Sequence, residues 1–212
     1  MSLVIAIPRG ALLEEALGLL DRLEIDTAEI RANERKLFFR ESGVLTVRPS
    51  DVPTYVEAGA ADVGITGKDV LMEQADRDVY ELLDLGFGSC RMIVATRDGD
   101  DPLGEPLRRR GLVKVATKYP RIARDYFAST GRQAEIVEVK GSVELAPLTG
   151  LADAIVDLTA SGRTLVENGL VEREPIVEST ARLIANPVAH KLKAAEVDAI
   201  VERIRGFDGG AA

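Results

Sequence analysis

Ala58-Gly59-Ala60-Ala61-Asp62-Val63-Gly64-Ile65-Thr66-Gly67-Lys68 reads as a helix end, a glycine, a strand opened by small residues and an aspartate, and a Gly-basic turn into another helix. Nearly the same order returns at Thr149-Gly150-Leu151-Ala152-Asp153-Ala154-Ile155-Val156-Asp157, with Gly162-Arg163 as its turn. Two such passages in a chain of 212 residues predict two related α/β lobes. Ligands of open α/β sheets collect at the carboxyl ends of strands, which is where both Gly-basic turns fall. The expected architecture is therefore two α/β lobes with an active-site cleft between them.

Working outward, Leu3–Ile7 is an apolar run closed by Pro8-Arg9-Gly10, a buried strand and its turn. Leu12, Leu13, Ala16, Leu17, Leu19 and Leu20 recur at helical spacing. Lys36–Phe39 and Val44–Val47 flank Glu41-Ser42-Gly43 as a hairpin, and a short helix over Asp51–Glu57 stops at Gly59. Asp69 is placed to cap the helix behind Gly67-Lys68. Tyr80–Phe87 and Arg91–Thr96 read as strands at the crossing between lobes, followed by the polar segment Asp98–Pro106. The second lobe then runs through strands Val113–Ala116, Glu135–Val139 and Asp153–Asp157, and helices Tyr119–Ser129, Ser142–Leu148 and Arg163–Asn168. Strands at Pro175–Val177 and Arg182–Ile184 and one helix over Val188–Arg205 close the chain. Residues 1–90 with about 178–212 are expected to form the first lobe, and about 91–177 the second.

The net charge of −8 argues against nucleic acid or an anionic membrane as the main partner, while a locally basic pocket for a small polyanion remains allowed. Cys90 is the sole cysteine, which rules out an intrachain disulfide and a thiolate metal cluster. Met1–Ile7 is too short for a signal-peptide core, and no stretch approaches the roughly 20 apolar residues of a membrane span, so the cytoplasm is expected. His190 stands alone and reads as a packed or surface residue.

The richest chemistry lies in Ala154–Leu165. A strand delivers Asp157, then Thr159, Ala160, Ser161, Gly162, Arg163 and Thr164 form a small, hydroxyl-rich turn into a helix. Gly162 permits a tight bend in which backbone N–H groups point inward, and the hydroxyls add donors, as a phosphate monoester requires. A carboxylate before such a bend suits vicinal ribose hydroxyls. A capped strand-to-helix turn without a ligand has the same composition.

Gly141-Ser142-Val143-Glu144-Leu145-Ala146-Pro147, Gly150–Asp157, Ser161–Leu165 and Asn168-Gly169-Leu170 together resemble the signature of the ATP phosphoribosyltransferase family. Similar runs extend over most of the chain: Leu12–Glu15, Arg35-Lys36-Leu37, Val47-Arg48 with Asp51-Val52-Pro53, Gly67–Leu71 and Ala116–Tyr119. The resemblance implies a two-lobed fold of the periplasmic-binding-protein type II kind. It also implies transfer of the phosphoribosyl group of phosphoribosyl pyrophosphate (PRPP) to N1 of ATP, the first step of histidine biosynthesis, with magnesium (Mg2+) on the phosphates.

Carried over, Thr159–Thr164 hold the 5-phosphate of PRPP, while Glu144 and Asp157 address its ribose. Arg9, Gly10, Arg35, Arg48, Gly67, Lys68 and Lys118 take the pyrophosphate and ATP, with Arg35 first for electrostatic catalysis beside Glu144 and Asp157. One departure is visible: the family commonly reads Lys-Gly-Arg after the first strand, and this chain has Arg9-Gly10-Ala11. The end soon after Phe207-Asp208 resembles the short form, which implies a homodimer assembling with a histidyl-tRNA-synthetase-like regulatory subunit. The rivals are a non-enzymatic two-lobed solute-binding module for a phosphorylated ligand and another phosphoribosyltransferase. The usual type of the latter carries two adjacent acids where Asp157 is followed by Leu158.

Overall fold

Strand β1 (Ile5–Pro8) is buried at every position, and its side chains alternate between two apolar clusters. Ile5 and Ile7 enter one and Ala6 the other, the period-2 signature of a strand covered on both faces. The computed structural model describes residues 3–99, 103–104 and 111–208. Its contacts separate into two units, Met1–Gly88 with Thr180–Ala212, and Ser89–Ser179. Of the polar segment Asp98–Pro106, residues 100–102 and 105–106 lie outside the described residues.

The first unit carries a sheet in the order β2-β3-β1-β4-β11-β5, where β2 is Phe38–Phe39, β3 Val44–Val47, β4 Val63–Gly67, β5 Tyr80–Asp84 and β11 Ala181–Ala185. Strands β3, β1 and β4 run parallel, while β11 returns antiparallel to β4. Helices α1 (Leu13–Arg22) and α9 (Ala194–Asp208) supply Leu17, Leu20, Val201 and Ile204 to the cluster around Ile5 and Ile7. Helix α3 (Val52–Glu57) supplies Val52 and Val56 to the cluster around Ala6.

That helix lies so close to β4 that a Cβ on Gly64 would come within 2.7 Å of Val52 Cγ1 and 2.8 Å of Val56 Cγ2. Gly64→Ala is accordingly expected to destabilise the protein by about 1–3 kcal/mol, read as a lower urea midpoint. An unchanged midpoint would show that α3 yields freely.

The second unit's sheet runs β10-β6-β9-β7-β8, with β6 Cys90–Arg97, β7 Val113–Thr117, β8 Ala134–Glu138, β9 Ala154–Thr159 and β10 Leu170–Ser179. Strands β9, β7 and β8 are parallel, β6 runs antiparallel to β9, and β10 runs antiparallel to β6. Edge strand β10 is far longer than the expected Pro175–Val177, and it carries two register shifts, one beginning at Pro175, which has no N–H to donate. Helix α5 (Pro120–Ser129) buries Ile122, Ala123 and Phe127, and its Tyr126 donates to Glu174 at 2.6 Å.

The sequence echo is reproduced hydrogen bond for hydrogen bond. Gly59 and Gly150 both end their helices at φ +73. The amides of Ala60 and Ala61 donate to Tyr55 O, and those of Leu151 and Ala152 to Ala146 O. Asp62 exchanges two bonds with Val4, its amide to the carbonyl and its carboxylate from the amide, and Asp153 does the same with Lys114. Each aspartate staples a strand start to its parallel neighbour.

Several expected elements are corrected. Helix α4 (Lys68–Glu73) begins after Gly67 with Asp69 inside its first turn, so Asp69 is not the cap. Ser142 has φ +47, which confines α6 to Leu145–Leu148. Positive φ at Gly86 and Gly88 follows the early end of β5 at Asp84. An unexpected short helix, α2 (Ala28–Ala32), starts where Asp26 accepts from the Ala28 amide at 2.9 Å. The expected single last helix is two, α8 (Pro187–Leu192) and α9, because Lys193 leaves helical geometry and reaches Asp62 at 2.7 Å.

Candidate active site

Strand β9 carries Asp157 into the second sheet between β6 and β7, where it is only 7% exposed. The chain then turns through Thr159, Ala160 and Ser161, and Gly162 takes a left-handed φ of +74 ahead of α7 (Arg163–Glu167). A side chain in that conformation would be strained, so glycine is required for the bend. The Gly162 amide donates to Thr159 Oγ1 at 2.9 Å, and the Arg163 amide to Ser161 Oγ at 3.4 Å. The bend thus turns amides onto its own hydroxyl oxygens, and an anion can replace those oxygens as acceptor. Helix α7 has five residues, shorter than expected, so donors of the bend rather than a long helix dipole form this element.

Lys118 follows β7, and the parallel pairing of Thr117 with Val156 brings it alongside Asp157. Its Nζ lies 3.2 Å from Asp157 Oδ1, which also accepts from the Leu158 amide at 2.8 Å. Burial pushes the Asp157 carboxyl above its usual range; Lys118 and the Leu158 amide pull it down, and Glu144 pushes it up. Glu144 sits half-buried just before α6. Two carboxylates, one ammonium and a hydroxyl-rich bend therefore share one end of this sheet. Sequence reasoning grouped Lys118 with the basic residues of the first unit. The only signal for its true setting is the alignment of two parallel strands, which no local pattern encodes.

In the first unit, Arg9, Arg48 and Lys68 each follow the carboxyl end of one of the parallel strands β1, β3 and β4. The Arg9 amide donates to Val47 O at 2.8 Å, and its guanidinium donates to Glu34 O at 2.6 Å, which ties Gly10 and the Arg35 segment to the same strand ends. A Cβ on Gly67 would displace the Asp69 carboxylate, which packs against this backbone. Lys68 is engaged by Glu81 at 2.6 Å, whereas the guanidinium groups of Arg35, Arg48 and Arg163 make no hydrogen bond or ion pair among the described residues. His190 stacks edge-on against Tyr80, 5.4 Å between centroids. Among the described residues no three His, Cys, Asp or Glu side chains form a metal-holding group, and no helix is long and apolar enough to cross a membrane.

The family model described as "HisG: ATP phosphoribosyltransferase" matches residues 48–206. An ATP phosphoribosyltransferase of Rubrobacter xylanophilus is 50% identical over 203 residues, covering 94% of each chain. Among solved structures, an "ATP phosphoribosyl transferase (HisG:HisZ) complex from Thermotoga maritima" superposes with TM-score 0.77 at 34% identity, covering 96% of this chain and 97% of that one. The periplasmic aliphatic sulphonate binding protein SsuA of Escherichia coli matches at TM-score 0.62 and 12% identity, over 96% of this chain and 71% of its own, a likeness of fold alone.

Proposed function

The chain belongs to the ATP phosphoribosyltransferase family, and on that premise we propose that it joins C1 of PRPP to N1 of the adenine of ATP, releasing pyrophosphate and opening histidine biosynthesis. The observation that carries this reading is a family match over almost the whole chain that includes the Asp157–Thr164 bend. The bond from C1 to the pyrophosphate oxygen breaks with its electron pair leaving on pyrophosphate, and N1 of ATP supplies the pair for the new bond. Positive charge builds on the sugar and negative charge on the leaving group, so the enzyme's task is to orient two polyanions and stabilise both charges.

In this reading, Thr159, Ala160, Ser161, Gly162, Arg163 and Thr164 bind the 5-phosphate. Asp157 and Glu144 hold the ribose hydroxyls and face the cationic sugar. Arg9, Gly10, Arg35, Arg48, Gly67 and Lys68 receive the pyrophosphate and the ATP phosphates. The uncommitted guanidinium of Arg35 suits a developing dianion, since its planar fork binds two oxygens at once. Arg35→Ala is expected to lower kcat by roughly 10²-fold with Tm unchanged, and Arg35→Lys to restore little of it. Full activity in Arg35→Ala would remove this residue from the site.

The family's reaction uses a divalent metal, and magnesium is the ion we assign. With no cluster of three protein ligands among the described residues, it would ride on the substrate phosphates, the usual manner for this ion. Bound there, it offsets phosphate charge. The likeness to the Thermotoga complex supports assembly with a second subunit of the HisZ kind. A homodimer, a histidyl-tRNA-synthetase-like regulatory role for that subunit and a cytoplasmic location are what the resemblance to the short form implies. Purified protein with magnesium and PRPP, given ATP or another nucleotide, tests the assignment through pyrophosphate release and the ultraviolet absorbance of N1-substituted adenine. Release with ATP alone supports it, and binding of PRPP without turnover, alone or with the regulatory subunit, contradicts it.

A further inference from the structure

We propose that Lys118 is a positioning residue of the ribose site: its ammonium keeps the Asp157 carboxylate charged and oriented, and it binds no substrate phosphate. The proposal deepens the assignment of Asp157–Thr164 to PRPP and rests on it. Asp157 is 7% exposed on an interior strand, and Lys118 stands 3.2 Å from its Oδ1. The other charged neighbours cannot do this work. Glu144 adds a second negative charge. On the opposite side, β6 presents Ile93 across from Asp157 and Arg91 across from Thr159, and Arg91 is held by Glu172 at 2.7 Å. Arg163 lies beyond the bend and makes no ion pair among the described residues.

Moving Lys118 onto a phosphate would leave a buried carboxylate facing Glu144 without its counter-ion, a costly state. Holding it in place leaves Asp157 Oδ2 for the ribose hydroxyls, because the ion pair and the Leu158 amide both use Oδ1. Lys118 Nζ also lies 5.4 Å from the Tyr119 ring centroid, within range of a weak cation–π attraction.

The test uses the full chain and two variants, Lys118→Met and Lys118→Arg. Carbon-13 NMR of the aspartate carboxyls follows Asp157 without substrate, and calorimetry measures PRPP affinity with magnesium. Lys118→Met is expected to raise the Asp157 midpoint further. An opposite charge at this distance is worth at least one unit, so the affinity loss relative to wild type is expected to be greater at about pH 5.5 than at about pH 8.5, by up to about 10-fold for each unit that the midpoint moves. Lys118→Arg is expected to restore the wild-type profile. An equal loss at both pH values, or an unmoved Asp157 midpoint, overturns the proposal and makes Lys118 a direct phosphate ligand or a bystander. If wild type fails to bind PRPP, the ribose-site reading falls and this proposal with it, whereas a flat loss in Lys118→Met beside a binding wild type sinks this proposal alone.

Discussion

Asp157→Asn is expected to cut kcat/KM for PRPP by roughly 10²–10³-fold while leaving Tm unchanged or higher near neutral pH. The activity loss follows from the role proposed for this carboxylate, which accepts ribose hydroxyls and faces positive charge on the sugar. The stability effect follows from its burial. Desolvation raises the folded-state pKa above the unfolded value, against the pull of Lys118 and the Leu158 amide. A carboxyl so shifted contributes stability that is fully present below its unfolded pKa. That contribution is lost as pH rises through the higher folded pKa. Above that window the ionised group is a net cost to the fold, which asparagine does not carry. The amide oxygen of asparagine can still accept from Leu158, and Lys118, on the exposed side, is free to hydrate. Thermal melts with activity assays check this, and a fall of several degrees in Tm would mean that the carboxylate supports the fold.

Asn186→Ala is expected to do the reverse, costing stability with no direct effect on chemistry. Asn186 is 6% exposed and uses both ends of its amide. Its oxygen accepts from the Val188 and Ala189 amides at 2.9 and 2.8 Å, capping α8. Its nitrogen donates to Val56 O at 2.8 Å and Glu57 O at 3.1 Å, closing the end of α3. Alanine leaves these groups without partners at a cost on the order of 3 kcal/mol, or roughly 6–12 °C in Tm for a chain of this size. Asn186→Asp keeps the cap and loses the donor, so it should fall between. Equal melting of all three proteins would show that water replaces these bonds without penalty.

The features legible in the sequence are those written in local pattern. The repeated helix-Gly-Asp-strand passage is legible because its bonds, Ala61 to Tyr55 and Ala152 to Ala146, span a few residues and need the same glycine. The Asp157–Thr164 bend is legible because a left-handed position and a hydroxyl acceptor announce themselves as Gly162 and Thr159. What stayed hidden depends on partners distant in sequence. The break at Lys193 goes with its bond to Asp62, 131 residues earlier in the chain. The full length of β10 is masked by Glu172 and Glu174, which look like solvated charges until Arg91 and Arg132 are found beside them. The pairing of Lys118 with Asp157 stayed hidden because the aspartate arrives on the next parallel strand.

A crystal of this protein soaked with PRPP and magnesium decides the matter. The 5-phosphate is expected within hydrogen-bonding reach of the amides and hydroxyls between Thr159 and Thr164, with the ribose hydroxyls on Asp157. Density for that phosphate at any other place in the chain, with the bend unchanged, would contradict the assignment of the site.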